Sequence, residues 1–334
     1  MRVLVTGGAG YIGAHVVREL IERGHRPVVL DDLSTGRLNA VQDVELVVGD
    51  VGDDRLLTEL CTSHAFEAVM HFAALKSVDE SNRDPARYFD VNVAKTIALL
   101  RVMHATGIGR LVYSSSAAVY GDPDSLPVNE EALLRPMNPY GETKRLVELM
   151  LRWMHESTGL RHAALRYFNA AGACEDASIG EDWTQATNLI PLVMKAVLRR
   201  GPPIKILGTD YPTPDGTAVR DYVHVMDLAV AHVLALERLT DAGEPLTVNL
   251  GTGRGSSVQE VIETTERISG RRVPSVPSAR RIGDMPAMWA DASRARELLG
   301  WRAERGLDDI IGTALRWHER QIGEEEAGGD PARA

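Results

Sequence analysis

The stretch Arg2-Val3-Leu4-Val5-Thr6-Gly7-Gly8-Ala9-Gly10-Tyr11-Ile12-Gly13 stands at the start of the chain and decides its fold. Its first five residues form a short apolar run that predicts a buried strand. Glycines follow at positions 7, 10 and 13. An amphipathic segment from Tyr11 to Arg23 then predicts a helix that Gly24 ends. Strand, glycine-rich turn and helix together predict the first unit of a parallel α/β sheet.

An acidic residue follows the next strand. Pro27 to Leu30 predicts that strand, and Asp31 stands at its end. The glycines let the backbone approach a pyrophosphate, which amides at a helix N-terminus can bind. A carboxylate in this position binds ribose hydroxyls and repels a 2′-phosphate. Because Asp32 adds to the repulsion, the sequence favours NAD over NADP.

The alternation of strands and helices continues along the chain. Further strands are predicted at 44–49, 68–74, 111–113 and 163–167, and further helices at 55–62, 85–106 and 139–157. This order predicts an α/β fold with a Rossmann-type doubly wound parallel sheet. Ligands of such sheets bind beyond the carboxyl ends of the strands. The polar residues just past predicted strand ends are Asp31, Asp50, Lys76, Ser116 and Asn169.

A tyrosine and a lysine stand four residues apart in the predicted helix at 139–157. Tyr140 and Lys144 therefore share one helix face. An ammonium group favours the phenolate and lowers the pKa of a tyrosine from its ordinary value of about 10. The pair is thus a candidate general acid/base near neutral pH. A surface pair with no function is the alternative for this pattern taken alone.

The sequence after residue 172 differs in composition from the part before it. Residues 173–187 and 201–218 are polar and turn-rich, around a predicted helix at 188–200. After them the sequence predicts a short strand at Tyr222-Val223, helices at 226–239 and 307–322, a strand at 247–250 and a helix capped by Ser256 or Ser257. We expect an NAD-binding domain at 1–172, rejoined near 222–250, a smaller α/β substrate-binding domain at 173–221 and 251–322, and a disordered tail at 323–334.

Composition excludes several classes of protein. The net charge of −10 argues against a general affinity for nucleic acid or anionic membranes. No apolar run is long enough to span a bilayer, and the first residues have the pattern of a strand, so we expect no secretion signal. Cys61 and Cys174 are isolated, and the ten histidines form no metal-binding motif. We expect a cytoplasmic protein without a metal.

Together these motifs resemble the extended short-chain dehydrogenase/reductase family, and more closely its UDP-glucose 4-epimerases. The resemblance covers nearly the whole chain. It is carried by residues 7–13, 71–76, 114–121, 165–169, 210–217, 219–228 and 280–287. Departures are Asp32 and Val91, where asparagine is expected, and Met288, where tyrosine or a small residue is expected.

The resemblance implies a chemistry for the site. The C4–H bond of the sugar is not acidic, so inversion proceeds by oxidation of C4 to a ketone and reduction on the other face. Tyr140 exchanges the proton of the 4-hydroxyl, Ser116 orients or relays it, and Lys144 holds the nicotinamide ribose and stabilises the tyrosinate. These three residues are the expected catalytic set.

The binding residues come from the same resemblance. Those implied for NAD are Gly7, Gly10, Tyr11, Ile12, Gly13, Asp31, Asp32, Leu33, Ser34, Thr35, Gly36, Asp50, Val51, Phe72, Ala73, Ala74, Lys76, Asn92, Ser114, Tyr140, Lys144, Tyr167 and Phe168. Those implied for a UDP-sugar substrate are Lys76, Ser116, Tyr140, Asn169, Asn188, Leu189, Lys205, Ile206, Leu207, Arg220, Arg281, Asp284 and Met288. A homodimer through the helices at 85–106 and 139–157 is also implied.

Several alternatives remain open. A nucleotide-sugar dehydratase or decarboxylase is a rival, although Ala117-Ala118 stands where dehydratases commonly carry Asp-Glu. A 4-epimerase of another nucleotide sugar, such as a UDP-N-acetylhexosamine, and a non-catalytic NAD-binding regulator are others. Met288 either borders the 2-substituent of the sugar or packs in the core. Lys76, Arg220 and the serines at 114–116 each have an ordinary structural alternative.

Overall fold

The structure, a computed structural model, describes residues 1–184, 186–239, 244–281 and 284–328. Its strands are β1 (Arg2–Thr6), β2 (Arg26–Asp31), β3 (Glu45–Val48), β4 (Ala68–His71), β5 (Arg110–Ser116), β6 (Arg161–Tyr167), β7 (Asn169–Ala171), β8 (Ile204–Leu207), β9 (Val219–Arg220), β10 (Tyr222–His224), β11 (Leu246–Leu250), β12 (Ser256–Ser257), β13 (Ser275–Ser278) and β14 (Ala287–Met288). Its helices are α1 (Tyr11–Glu22), α2 (Asp54–His64), α3 (Val78–Arg83), α4 (Pro85–Phe89), α5 (Lys95–Thr106), α6 (Pro139–Thr158), α7 (Leu189–Val197), α8 (Val225–Arg238), α9 (Val258–Ser269), α10 (Ser293–Leu299) and α11 (Leu307–Glu326).

A seven-stranded sheet organises the front half of the molecule. Its strand order is β11-β6-β5-β4-β1-β2-β3, and every pairing is parallel. Side chains of β1 alternate between its two faces, so Val3 and Val5 join one core cluster and Leu4 joins the other. Helices α1 and α8 cover the first face, and α2, α5 and α6 cover the second. The predicted doubly wound parallel sheet is confirmed.

The turn between β1 and α1 needs its glycines for close approach. Gly7 has a φ of +71°, and a Cβ there would lie 2.5 Å from the amide nitrogen of Ala73. A Cβ at Gly13 would lie 2.3 Å from the carbonyl oxygen of Gly7. The chain after β4 therefore passes directly over the turn, and only glycine permits this packing.

Helix α6 has local signals at both ends. The Asn138 side chain caps it by accepting a 2.8 Å hydrogen bond from the Gly141 amide, and Pro139 occupies its first turn. Gly159, with a φ of +75°, ends it. The apolar face of α6, including Val147 and Leu151, packs against β5 and β6. This packing places the first turns of α6 next to the end of β5.

The back half builds a separate core cluster, distinct from the two that cover the faces of the large sheet, from α7, α9, α11 and short strands. Ile190, Val193, Val261 and Ile310 are buried within it. Three small sheets accompany the helices: β10 with β7, β13 with β8, and β12-β9-β14. Strand β11 leaves this half and pairs with β6 at the edge of the large sheet.

The structure differs from the sequence-based expectations at several boundaries. Strand β4 ends at His71 instead of Ala74, because the amides of Phe72 and Ala73 turn back to the carbonyl of Thr6. The helix predicted at 85–106 is interrupted by a π-helical turn at Asp90–Ala94.

The last helix is longer than predicted. Helix α11 continues to Glu326, so the tail predicted from 323 is wrong at its start. Ion pairs hold this end, since Glu324 lies 2.8 Å from Arg320 and Glu326 lies 2.5 Å from Arg200. Residues 329–334 of the predicted tail lie outside the described residues. No helix in the described part of the chain is both long and apolar enough to cross a membrane.

Candidate active site

The cofactor residues predicted from the sequence gather at one edge of the large sheet. They follow strands or lie near their ends: β1 (Gly7, Gly10, Tyr11, Ile12, Gly13), β2 (Asp31, Asp32, Leu33, Ser34, Thr35, Gly36), β3 (Asp50, Val51), β4 (Phe72, Ala73, Ala74, Lys76), β5 (Ser114) and β6 (Tyr167, Phe168). All six strands are parallel, so these positions share the carboxyl edge of the sheet. Tyr140 and Lys144 meet them from α6.

Asp31, at the end of β2, connects this strand to the glycine-rich turn through hydrogen bonds of its side chain. Its carboxylate accepts 2.9 Å hydrogen bonds from the amides of Ala9 and Leu33. Gly36 lies against the same carboxylate, because a Cβ there would stand 2.7 Å from Oδ1. Burial raises the pKa of Asp31, and the two amides oppose that rise. The carboxylate is therefore fixed in place at the edge of the sheet.

The predicted catalytic residues converge on the end of β5. Lys144 Nζ donates a 2.7 Å hydrogen bond to the carbonyl oxygen of Ser114. The same Nζ lies 5.8 Å from the centre of the Tyr140 ring, and Ser116 is a hydrogen-bond partner of the Tyr140 phenol. The Ser114 hydroxyl in turn bonds the Tyr167 hydroxyl. The strand, the helix and their side chains form one connected polar cluster.

The electrostatics of this cluster differ from the sequence-based expectation. Burial raises the pKa of the Tyr140 phenol, and the Ser116 hydroxyl only partly opposes it. Burial also lowers the pKa of Lys144 to about 7, against the attraction of Glu148. The expected lowering of the Tyr140 pKa by Lys144 is therefore not found, because burial removes water from both groups.

Lys76 and Asn188 reach the site from opposite halves of the molecule. Each places its side-chain nitrogen 3.1 Å from Oε1 of Glu181. The Glu181 side chain is only 8% exposed, whereas Lys76 is 65% exposed. Glu181 thus joins the segment after β4 to the start of α7, where Leu189 follows.

The two predicted arginines share one acid in the back half. Arg220 on β9 and Arg281 both pair with Asp284, the second at 3.4 Å. Arg281 also lies 3.9 Å from Asp79 on α3, which belongs to the front half. The fork of a guanidinium binds phosphate oxygens bidentately, so this cluster fits a diphosphate.

Some predicted residues make contacts within the protein. The Asn92 side chain bonds both the amide and the carbonyl of Leu75, at 2.8 and 3.0 Å, and the Thr143 hydroxyl. Asp50 pairs with Lys95 at 2.5 Å. Met288 is 5% exposed and lies in the core cluster that Val3 and Val5 join. This position favours a packing role for Met288 over a role beside the 2-substituent of the sugar.

The remaining predicted residues lie on short strands. Asn169 begins β7, beside Tyr222 of β10. Lys205, Ile206 and Leu207 belong to β8, where Lys205 is exposed and Ile206 is buried. The structure therefore brings Asn169 to the carboxyl edge of the large sheet, while β8 belongs to the core cluster of the back half.

Sequence reasoning missed three charged residues of the site. Glu148 and Arg166 form a buried ion pair at 2.6 Å, and the Ser115 hydroxyl donates a hydrogen bond to Glu148. Glu181 accepts hydrogen bonds from both Lys76 and Asn188. The helical period offered a signal for Glu148, since it stands four residues after Lys144. Glu181 stands in a polar loop that gave no comparable signal.

Comparison with known proteins agrees with this arrangement. Residues 3–251 match the NAD dependent epimerase/dehydratase family. The chain belongs to this family.

Its relatives within the family are similar over their full length. The UDP-glucose 4-epimerase of Azospirillum brasilense is 48% identical over 336 residues, which cover 99% of this chain and 97% of the relative. The resemblance drawn from the motifs is thereby confirmed.

Solved epimerase/dehydratase structures give the same result. The UDP-glucose 4-epimerase of Stenotrophomonas maltophila, with bound NAD and formylated UDP-arabinopyranose, superposes with a TM-score of 0.94 at 44% identity, covering 97% of this chain and 99% of the other. The UDP-glucose 4-epimerase of Bifidobacterium longum, in complex with NAD+ and UDP, superposes with a TM-score of 0.92 at 39% identity, covering 96% of this chain and 99% of the other.

Proposed function

We propose that this protein interconverts UDP-glucose and UDP-galactose by inverting C4 of the sugar, with a tightly bound NAD. The observation that carries the proposal is the convergence of Ser116, Tyr140 and Lys144 at the end of β5, on the same carboxyl edge of the sheet as the glycine-rich turn. The full-length similarity to UDP-glucose 4-epimerases supports it.

The residues present fit a dinucleotide. Gly7, Gly10 and Gly13 place no side chain at three positions of the turn, and among the described residues no side chain caps the N-terminus of α1. Its amides can therefore bind a pyrophosphate. Asp31 is positioned for ribose hydroxyls, and its charge disfavours a 2′-phosphate. When bound, NAD supplies a hydride acceptor and donor and adds a positive charge near Tyr140.

The proton chemistry belongs to the side chains at the end of β5. The Tyr140 phenolate would take the proton of the sugar 4-hydroxyl and later return it to the ketone oxygen. Ser116, a hydrogen-bond partner of the Tyr140 phenol, would orient the sugar 4-hydroxyl or relay its proton. Lys144, fixed by the Ser114 carbonyl, stabilises the phenolate. Because Tyr140 and Lys144 are both desolvated, any charge brought beside them shifts their pKa values strongly.

The uridine diphosphate would lie between the two halves. We assign the diphosphate to Arg220 and Arg281, which already converge on Asp284. Asn169, Asn188 and the segment 205–207 would hold the uridine. In this division, residues 173–221 and 251–322 enclose the sugar nucleotide, and 222–250 complete the NAD-binding half. The expected cytoplasmic location stays a prediction.

We also propose a homodimer through α4, α5 and α6. Phe89, Ile97 and Trp153 are 36, 48 and 57% exposed on these helices. Large apolar side chains left on neighbouring helices favour a protein contact.

Incubation with UDP-galactose, without added NAD, tests the proposed function. We expect UDP-glucose to form, and denaturation of the protein to release about one NAD(H) per chain. A protein that released no NAD(H), or that formed a dehydrated or decarboxylated product, would contradict the proposal. Tyr140→Phe serves as the inactive control.

A further inference from the structure

Helix α6 carries a further charged residue on the face that bears Tyr140 and Lys144. Glu148 stands one further turn along the helix, so its side chain neighbours that of Lys144. The Glu148 side chain is only 9% exposed. Ion pairs elsewhere on α6, such as Arg152 with Glu156, are 62 and 49% exposed. A buried carboxylate beside the catalytic lysine calls for a structural or functional reason.

The partners of Glu148 come from two strands of the sheet. Arg166 on β6 donates to both of its carboxylate oxygens, from Nη2 to Oε2 at 2.6 Å and from Nε to Oε1 at 3.0 Å. Ser115 on β5 donates its hydroxyl to Oε1 at 2.5 Å. Ser115 lies between Ser114, whose carbonyl holds Lys144, and Ser116, the partner of Tyr140. The carboxylate therefore ties α6 to the same strand that positions the acid/base pair.

Arg166 is fixed from its other side. Its Nη1 donates to the Tyr120 hydroxyl at 3.0 Å, and that hydroxyl donates to Asn249 of β11 at 2.6 Å. Arg166, Tyr120 and Asn249 are all nearly or fully buried. A fully bonded buried network of this kind holds its members in one arrangement.

Few charges face Lys144. From α6 it meets Tyr140 and Glu148, from β5 the ring of Tyr113 at 5.0 Å, and from β4 His71. Burial keeps His71 neutral by lowering its pKa to about 3, and burial raises the pKa of Tyr113. Glu148 is thus the only anion at neutral pH among these four groups.

We propose that Glu148 is a positioning residue for proton transfer, which holds α6 in register with β5 and balances the positive charge of Lys144 beside Tyr140. This inference rests on the acid/base roles in the proposed function. Burial alone drives Lys144 toward its neutral form, and the pKa of about 7 already includes the opposing attraction of Glu148. Removing that negative charge lowers the Lys144 pKa further. Tyr140 then loses its cation at neutral pH, and its own pKa rises.

The experiment compares pH profiles of purified holoenzymes. Glu148→Gln keeps the shape of the side chain and removes its charge, and Glu156→Gln makes the same change at an exposed site of α6. For Glu148→Gln we expect the acidic limb of the kcat profile to move up by about one to three pH units. We expect kcat at pH 7 to fall at least about tenfold, with KM and bound NAD nearly unchanged. Glu156→Gln should match the wild type.

A second variant covers the case in which the unpaired Arg166 prevents folding. Glu148→Gln with Arg166→Met removes both charges and should restore the fold while leaving the profile shifted. A merely structural role predicts that this double variant recovers the wild-type profile, which would overturn the inference. A fall in kcat without any shift in either variant would overturn it as well. Absence of turnover in the wild type would overturn the proposed function and this inference together.

Discussion

The amide of Ala9 in the glycine-rich turn lies 2.9 Å from the carboxylate of Asp31, at the end of the neighbouring strand. This bond couples the shape of the turn to the residue expected to select the cofactor. Any change at Asp31 therefore affects both the ribose contact and the turn itself.

We predict that Asp31→Asn weakens NAD retention and reduces the preference for NAD over NADP. Losing hydrogen bonds to a charged acceptor costs about 1.5–3 kcal/mol, or roughly 10- to 150-fold in affinity. Reconstitution of the stripped protein with each nucleotide measures both effects. Asp43→Asn, at an exposed residue of the same half, is the matched control. Unchanged affinity for both nucleotides would remove Asp31 from the cofactor site.

We predict that Tyr140→Phe reduces kcat by about 10²- to 10⁴-fold while the protein still binds NAD and UDP-sugar. In the proposed function the phenol carries the proton, and phenylalanine removes the hydroxyl while it keeps the packing of the ring. Steady-state turnover of UDP-galactose and NAD content after denaturation provide the two readouts. Tyr222→Phe, also buried but on β10, should turn over substrate far faster than Tyr140→Phe. A near-wild-type rate for Tyr140→Phe would refute its acid/base role.

We predict that Gly13→Ala destabilises the protein and empties the cofactor site. The added Cβ would lie 2.3 Å from the carbonyl oxygen of Gly7, so the turn must open. Overpacking of this kind costs about 1–3 kcal/mol. Thermal unfolding with and without added NAD measures it. Gly323→Ala in α11, where a Cβ meets nothing within 4 Å, should instead be neutral or stabilising.

We predict that stability falls as the pH drops from about 6.5 to about 4. His15 and His232 are buried, and burial lowers the pKa of each to about 4. The unfolded chain therefore binds more protons than the folded protein in this range, and acid favours unfolding. His232→Asn can keep the 2.7 Å bond to the Leu228 carbonyl without titrating, so it should flatten the dependence. His104→Asn, at an exposed histidine of α5, should leave the pH dependence of stability unchanged. Unfolding experiments at several pH values on the three proteins measure this dependence.

We predict that Ile97→Glu converts a dimer of about 73 kDa, twice 36.5 kDa, into a monomer. Ile97 is 48% exposed on α5, so a charge there is tolerated by the folded chain but not by an apolar contact. Light scattering gives the mass. Val276→Glu, at another exposed apolar residue, should preserve the dimer. A wild-type mass near 36.5 kDa would exclude the dimer.

The sequence was most informative where local patterns carry the structure. Gly7 to Gly13, Asp31 and the Tyr140–Lys144 spacing each combine a motif with a strong strand or helix period, and all lie at the predicted edge of the sheet. Two-residue strands such as β9 and β14 show no period, so they could not be predicted.

Tertiary burial explains the other differences. Nothing in the loop around Glu181 indicates that its carboxylate is buried between Lys76 and Asn188. The direction of the Tyr140 pKa shift was also missed, because the spacing reports the nearby cation but not the loss of water around both groups.

The position of β11 bears on how the protein is made. The outer neighbour of β6 is contributed by Leu246–Leu250, after the chain has passed through β7 to β10. While a ribosome has released only the first 172 residues, the edge of β6 is bare and α8 has not yet covered α1. Residues 1–172 are therefore not an independent folding unit during synthesis. Nascent chains shorter than about 250 residues should depend on chaperones to avoid pairing through that edge.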